Sequence, residues 1–527
     1  EALMYDYALA QDSPCVRAAA DGGAIGADTG TCAAAGAKER FVHLAAGTYS
    51  NGRTSLACGV SLRGAGAMNT VLEGALVGPR TDAFIEDLSV TKSAIGGIIV
   101  AAGDGPRVTR CTLTGNSALR GGGMCVGQGA VPTLQSCTVV GNTAVEGGGL
   151  WAWTGAAVTL RECILADNSG KWGGGLNLSM ATGVVYDCRI EDNSANEGGG
   201  IRGYMAALTL DGCRIADNVA GAGGGLDLDA TGVEIRLVDC AVACNRAQTE
   251  GGGILVRGDN RSFELVSCVV AGNAAGTKGG GILASTVRLS LADCVVTGNS
   301  AAQSGGGLHV SAFASLTARR VTCAGNASAM GSAVVAQGTT VTLRDAIVWG
   351  NGGDALHGEE AAVWDVAFSC VDMEPLPAGE GNIRTDPLFC AWGAAADVYV
   401  DAAQAEAGDG SAEHPYKELA PALAYSYALT EGSPCIGTGE HGATMGAGLG
   451  TCAAGSVQER TVHVKAGTYD LAGLVLPNRA SVRGEGADRT HLYGTLRGLG
   501  NGAVLAGVAV MGDAAAGIEI GPGLAPR

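Results

Sequence analysis

Cys163-Ile164-Leu165-Ala166-Asp167-Asn168, followed by Gly173-Gly174-Gly175-Leu176, returns 25 residues later as Cys188-Arg189-Ile190-Glu191-Asp192-Asn193, followed by Gly198-Gly199-Gly200-Ile201. Between Cys111 and Asn351 this block recurs about every 26 residues. A fixed period of this size is the signature of stacked small units that share one long core. It argues against a single deep pocket as the organising principle and for a solenoid.

The Asn positions form a column: Asn116, Asn142, Asn168, Asn193, Asn218, Asn245, Asn273, Asn299, Asn326 and Asn351. Five residues before most of them stands a Cys: Cys111, Cys137, Cys163, Cys188, Cys213, Cys240, Cys268 and Cys294. Upstream, apolar residues alternate, as at Val158/Leu160 and Leu208/Leu210. Alternation over so few residues is a strand signal. The Gly triplets are turn chemistry. Each unit therefore reads as short strand, bend, short strand, Asn turn, Gly-rich turn, short strand. Such a unit closes no core alone, but stacked copies do, with parallel strands about 4.8 Å apart. A buried Asn is satisfied there by the Asn above and below it. The expected fold is an all-β solenoid, a right-handed parallel β-helix.

The strings GNTAVEGGGLWAW, ADNSGKWGGGLNL and TGNSAAQSGGGLHV resemble the Asn…Gly-Gly repeats of chlamydial polymorphic outer-membrane proteins. An aliphatic residue replaces that family's usual Phe three before the Asn. DVYVDAAQAEAGDGSAEHPYKELAPALAYSYAL resembles the N-terminal cap of pectate-lyase-like β-helices. GEGNIRTDPLF resembles the last coil of such secreted domains. The resemblance implies the β-helix fold and an extracellular or cell-surface setting.

A second, longer period relates the two ends. Ser13–Cys15 recurs at Ser433–Cys435, and TCAAAGAKERFVHLAAGTY from Thr31 recurs as TCAAGSVQERTVHVKAGTY from Thr451, both offset by 420. The expected organisation is one β-helix unit over 1–391, with its cap truncated at the N-terminus, and the cap and first coils of a homologous unit over 392–527. The chain then reads as a window on a longer tandem array. His414–Leu429, with Leu419, Leu423 and Tyr427 on one side, is expected to form an amphipathic helix that caps the second unit, as Glu1–Leu9 would the first.

Net charge is −18, which argues against nucleic acid, since backbone binding needs clustered Lys and Arg. No apolar run is long enough to span a membrane. Cys15 and Cys32, and likewise Cys435 and Cys452, recur together in the two long repeats. Each pair is read as a disulfide, with Cys370 and Cys390 as a third, which favours an oxidising compartment. The Cys column reads instead as stacked buried thiols.

Asp167, Asp192 and Asp217 precede the column Asn in three consecutive coils. Stacked carboxylates repel unless solvated or neutralised, so this is the candidate Ca²⁺ site, weighed against a plain solvated turn face. No other cofactor is expected. After the Gly triplets, outward positions carry Trp151 and Trp153, then Arg202 and Tyr204, then Asp227 and Asp229, then Arg257, then His309, with Trp172 in the adjoining turn. Exposed aromatic rings beside charged groups suit sugar faces. Trp151, Trp153, Trp172, Arg202 and Tyr204 are the candidate glycan contacts, and the Asp227/Asp229 pair is expected simply to face solvent. No catalytic residue is assigned: the resemblance would imply a Ca²⁺-bound Asp with a basic partner, or Gly-His-Gly and Arg-x-Lys strings, and neither pattern occurs.

These readings converge on an extracellular structural or adhesive rod or filament. Its expected partners are neighbouring repeat units and surface polysaccharide. The alternatives are a glycan-binding surface module and a polysaccharide lyase or hydrolase.

Overall fold

The computed structural model describes residues 40–57, 59–79, 81, 83–352, 354–391, 397–404, 411–417, 426–449, 451–452, 460–470, 480–493 and 504–511. Within them the chain winds into a right-handed parallel β-helix. One coil shows the plan. A first strand, Ala157–Arg161, is followed by a second, Ile164–Ala166, and a third, Leu176–Ser179. Each pairs in parallel with its counterpart one coil on: Leu160 with Val185, Leu165 with Ile190, Leu176 with Ile201. First strands make a 14-stranded sheet. Second and third strands make long ladders that meet at Thr70–Val77, which pairs with both. A short strand after some ladder Asn, such as Ser194–Glu197, adds a narrow flanking sheet.

The bends rest on left-handed residues. Glu162, Asp167 and Met180 have φ of 51°, 53° and 50°. The Gly triplet is needed for contact as well as for φ. Gly173 has φ +67°, and a Cβ there would stand 2.7 Å from Cβ of Asn177. A Cβ on Gly174 would lie 2.3 Å from the carbonyl oxygen of Gly199. The glycine turn thus lies directly on the outward side chains of the third strand. Asn177, the first outward side chain of this third strand, is consequently buried although it points away from the lumen.

Inside, alternate residues fill one continuous core from Val42 to Val371, including Phe263, Leu165 and Leu210. The Asn column runs along it unbroken. Asn193 Nδ2 donates to Asn218 Oδ1 at 3.0 Å and to the Leu165 carbonyl at 2.9 Å, and its backbone N–H donates to the same Oδ1 at 3.0 Å. The same bonds repeat from Asn116 to Asn326, and Asn351 completes the last step. From Asn116 to Asn326 the amide oxygen and both amide hydrogens have partners, so these buried amides are satisfied coil by coil. The eight column cysteines are buried free thiols. Burial pushes the Cys111 thiol up to about 12, so it stays protonated.

The region after Cys370 corrects the end of the expected cap helix. Ser426–Thr430 is a strand, antiparallel to Phe389–Ala391 and parallel to Thr451–Cys452. The end of the expected 414–429 helix is therefore extended, because Leu429 pairs with Phe389 and Tyr427 packs edge-on against its ring at 5.3 Å. Residues 418–425 and the Glu1–Leu9 helix lie outside the described residues.

The disulfide expectations also change. The pairing of Cys370 with Cys390 and that of Cys435 with Cys452 are not made. Cys370 and Cys435 are free thiols that share a hydrogen bond, and Cys390 is disulfide-bonded to a residue other than Cys370. The fold brings Cys370 and Cys435 together because both belong to a small second core with Ile347, Phe389, Leu429 and Met445. The disulfide expected between Cys15 and Cys32 is not among the bonds of the described residues: Cys15 lies outside them, and so does Cys32.

That second core is a docking joint within the chain. Residues 426–449 lie against the outward side of the coils between Thr297 and Ile347. The Tyr427 hydroxyl is 2.5 Å from Thr297 Oγ1, Glu440 N–H donates to Asp345 Oδ1 at 2.6 Å, and Ala447 N–H donates to Thr322 Oγ1 at 3.1 Å. Gly446, φ +85°, would place a Cβ 2.6 Å from Ile347 Cδ1. A separate core gathers Val398, Val400, Val462, Val464, Tyr469, Ala480, Val482 and Leu492.

Candidate functional site

The third strands stack outward residues into two parallel columns. One runs Cys125, Trp151, Asn177, Arg202, Asp227, Leu255, Leu283, His309, Val335 and His357. Beside it, Tyr204, Asp229, Arg257 and Ser285 are in register, with Trp153 at the same side one residue past Ala152. A third line forms where the residue before each Gly triplet stacks: Glu146, Trp172 and Glu197 bridge one another. Aromatic and charged side chains from the three lines meet over the coils between Trp151 and Arg257.

Trp151 and Trp153 have ring centroids 5.8 Å apart, and the Arg120 guanidinium lies 4.9 Å and 5.9 Å from them. Arg202 lies 5.9 Å from the Trp172 ring and 5.6 Å from the Tyr204 ring, and the Lys171 ammonium is 4.5 Å from Trp172. All five expected glycan contacts therefore fall on one face, in two clusters. One expectation needs correcting: Trp151 is only 4% exposed, because the glycine turn covers it, whereas Trp153 and Tyr204 are 43% and 40% exposed. The sugar-accessible rings are Trp153, Tyr204 and the half-buried Trp172.

Next to Tyr204 the face opens into a cavity of about 370 Å³ lined by Glu197, Arg202, Tyr204, Asp227, Asp229 and Arg257, among others. Arg202 Nε donates to Glu197 at 3.0 Å. Arg257 pairs with Glu250 and stands 3.6 Å from Asp227. Asp229 Oδ1 accepts from the Thr231 N–H at 2.9 Å. Asp227, expected to face solvent, is 8% exposed. Burial raises its carboxyl to about 6, opposed by Arg257 and reinforced by Glu197. Glu197 and Glu250 did not stand out in the sequence. The signal that finds them is their place immediately before a Gly triplet, shared with Glu146 and Trp172.

The expected Ca²⁺ site does not assemble. Asp167, Asp192 and Asp217 take left-handed turn positions with φ of 53°, 56° and 56°, where a short polar side chain is tolerated. Among the described residues no group of three or more His, Cys, Asp or Glu converges on a metal position. Asp217 instead has Arg214 at 3.7 Å. Among the described residues no helix is long and apolar enough to cross a membrane.

Residues 96–270 match the family described as "Right handed beta helix region". No curated protein matches the chain in sequence at a significant level. Solved structures similar to it include a PL6-family alginate lyase, at 10% identity, covering 90% of this chain and 69% of that one, with a TM-score of 0.36. Another is the A-module of a mannuronan C-5 epimerase from Azotobacter vinelandii, at 12% identity, 62% and 90% coverage and a TM-score of 0.28. A third is the catalytic unit of a GH87 α-1,3-glucanase from Streptomyces thermodiastaticus, at 12% identity, 62% and 63% coverage and a TM-score of 0.27.

Proposed function

We propose that this chain belongs to an extracellular adhesive rod, in which a rigid β-helix presents a carbohydrate-binding face. The observation that carries the reading is the restriction of Trp153, Trp172, Arg202 and Tyr204 to a few coils of one outward face. The lumen beneath them repeats without change. The scaffold does not require aromatic residues there, since later coils place Ser285 and Ser311 in the Tyr204 line. Rings set at intervals along a stiff axis suit successive sugars of a chain. Docking of residues 426–449 on unit one supports the rod, because it ties one unit to the next through packed side chains. A panel of immobilised polysaccharides tests the reading. The full chain should retain at least one of them, and Trp153→Ala/Tyr204→Ala should abolish retention. Indifference to those substitutions would remove this face from consideration.

A second reading has its own observation: a buried carboxyl held near 6 in a cleft is the kind of group that serves as a general acid. As a glycoside hydrolase the chain would release reducing ends from a bound polysaccharide, and Asp227→Asn would stop release while leaving retention intact.

A further inference from the structure

The cavity beside Tyr204 has an unusual charge balance for a sugar site. Four carboxylates, Glu197, Asp227, Asp229 and Glu250, surround two guanidinium groups, Arg202 and Arg257, an excess of two negative charges (four less two). Both guanidiniums are already engaged, Arg202 by Glu197 and Arg257 by Glu250. Two carboxylates are left over, and because Asp229 accepts from the Thr231 N–H, the one without a hydrogen bond is Asp227. It is buried, lines the cavity, and has Arg257 at 3.6 Å, outside hydrogen-bond reach. A buried carboxylate without a hydrogen bond is destabilising until a donor arrives.

The same column holds two unsatisfied groups. Trp151 Nε1 and Asn177 Oδ1 are buried and without partners, on adjacent coils in direct register. Trp151 is 4% exposed and Asn177 1%. Strands one coil apart lie about 4.8 Å from each other. A small buried donor–acceptor such as an ordered water can accept from the indole N–H and donate to the amide oxygen. Of Trp151, Asn177 and Asp227 only Asp227 lines the cavity, and it asks for a cation.

We propose that the face binds a glycan bearing free amino groups, with an ammonium seated on Asp227 and hexose rings against Tyr204, Trp172 and Trp153. The proposal rests on the carbohydrate reading above and specifies its ligand. A metal ion is the wrong cation, since among the described residues no three ligating side chains converge. A uronic-acid chain is the wrong glycan. Its carboxylates would meet an already anionic cavity whose guanidiniums are taken, and like charges in a partly desolvated site repel strongly. An ammonium gains a charge-assisted hydrogen bond and the π face of Tyr204.

The test is calorimetric titration of the full chain with three hexamers: glucosamine, N-acetylglucosamine and mannuronate. Glucosamine hexamer should bind about tenfold or more tighter than its acetylated counterpart, as expected for one buried charged hydrogen bond. Mannuronate hexamer should be weakest. Asp227→Asn, which the buried neutral carboxyl predicts to fold, should bring the affinity for glucosamine hexamer down to that for its acetylated counterpart. Equal or tighter binding of the acetylated or uronate hexamer overturns the amino-glycan proposal while leaving the carbohydrate reading in place. Absence of binding to all three, together with failure on the polysaccharide panel, overturns both.

Discussion

The inward and outward columns of the same coils behave in opposite ways. Facing the lumen, positions repeat coil after coil: Asn168, Asn193, Asn218 and Asn245 share one ladder, and Leu165, Ile190, Ile215 and Val242 another. Facing outward on the third strands, nearly every coil differs: Trp151, Asn177, Arg202, Asp227, Leu255, Leu283 and His309 share one line. The lumen is held constant because each inward side chain is satisfied by its own copy in the next coil. A changed residue there disturbs two coils, not one. The outward line is free to vary, so where it departs from simple aliphatic cover, the departure reports a use. Burial under the glycine turns pushes two of its members toward neutrality: Asp227 up to about 6 and His309 down to about 4.

The sharpest way to break this contrast is to damage the ladder. Asn218→Ala removes the acceptor of both the Asn193 N–H and the Asn193 amide, and strands the Ile190 carbonyl. The expected loss is on the order of 5 kcal/mol by chemical denaturation, since each buried orphan costs about 1–3 kcal/mol. At the joint, Met445→Ala should cost about 2–3 kcal/mol. That loss should be confined to the 389–449 segment, seen as faster amide exchange there while the Asn coils keep their protection.

Asp227 sharpens the contrast through pH. Its folded carboxyl stands at about 6 against an ordinary value of 3.8, so the native chain holds that proton more tightly than the unfolded one. The resulting stability is complete below about pH 4 and is lost as pH rises through about 6. Asp227→Asn fixes the neutral form. It should stabilise the protein by roughly 1–3 kcal/mol at pH 8 and by nothing at pH 4. The smallest effect belongs to the exposed rim: Trp153→Ala should change unfolding free energy by less than about 0.5 kcal/mol.

The lumen was legible in the sequence because the repeat is dictated by what each residue touches, namely its own copy. The Asn column, the Cys column and the Gly turns all follow from stacking. The joint was not legible. The helical spacing was expected to reach Tyr427 and Leu429, yet these lie in the strand Ser426–Thr430, where Leu429 pairs across to Phe389; Leu419 and Leu423 lie outside the described residues. Its real trace was on the other partner: outward Ile347 and Trp349 are apolar where an earlier coil places Arg189 and Glu191, and an apolar outward face needs a cover. Cysteine pairing failed for the same reason. Nearness in sequence joins Cys370 to Cys390 and Cys435 to Cys452, but the joint sets Cys370 against Cys435 across 65 residues of chain (435 less 370). The pairing of Cys15 with Cys32 drew on the same long repeat, and the Cys435/Cys452 copy of it does not form that bond. The candidate site was half legible. Alternation placed Arg202 and Tyr204 on one face, but it could not show that the glycine turn buries Trp151, nor that Glu197 and Glu250 close the cavity around Asp227.

The central claim is that the inward column carries stability and the outward column carries recognition. The most direct test pairs two variants in one experiment, measuring unfolding free energy and affinity for the best-retained polysaccharide in each. Asn218→Ala should lower stability severely while the chain that remains folded still binds. Tyr204→Ala should lose binding at unchanged stability. If Tyr204→Ala binds as well as the parent chain, or loses binding only in proportion to lost stability, the division of labour between the two columns is wrong.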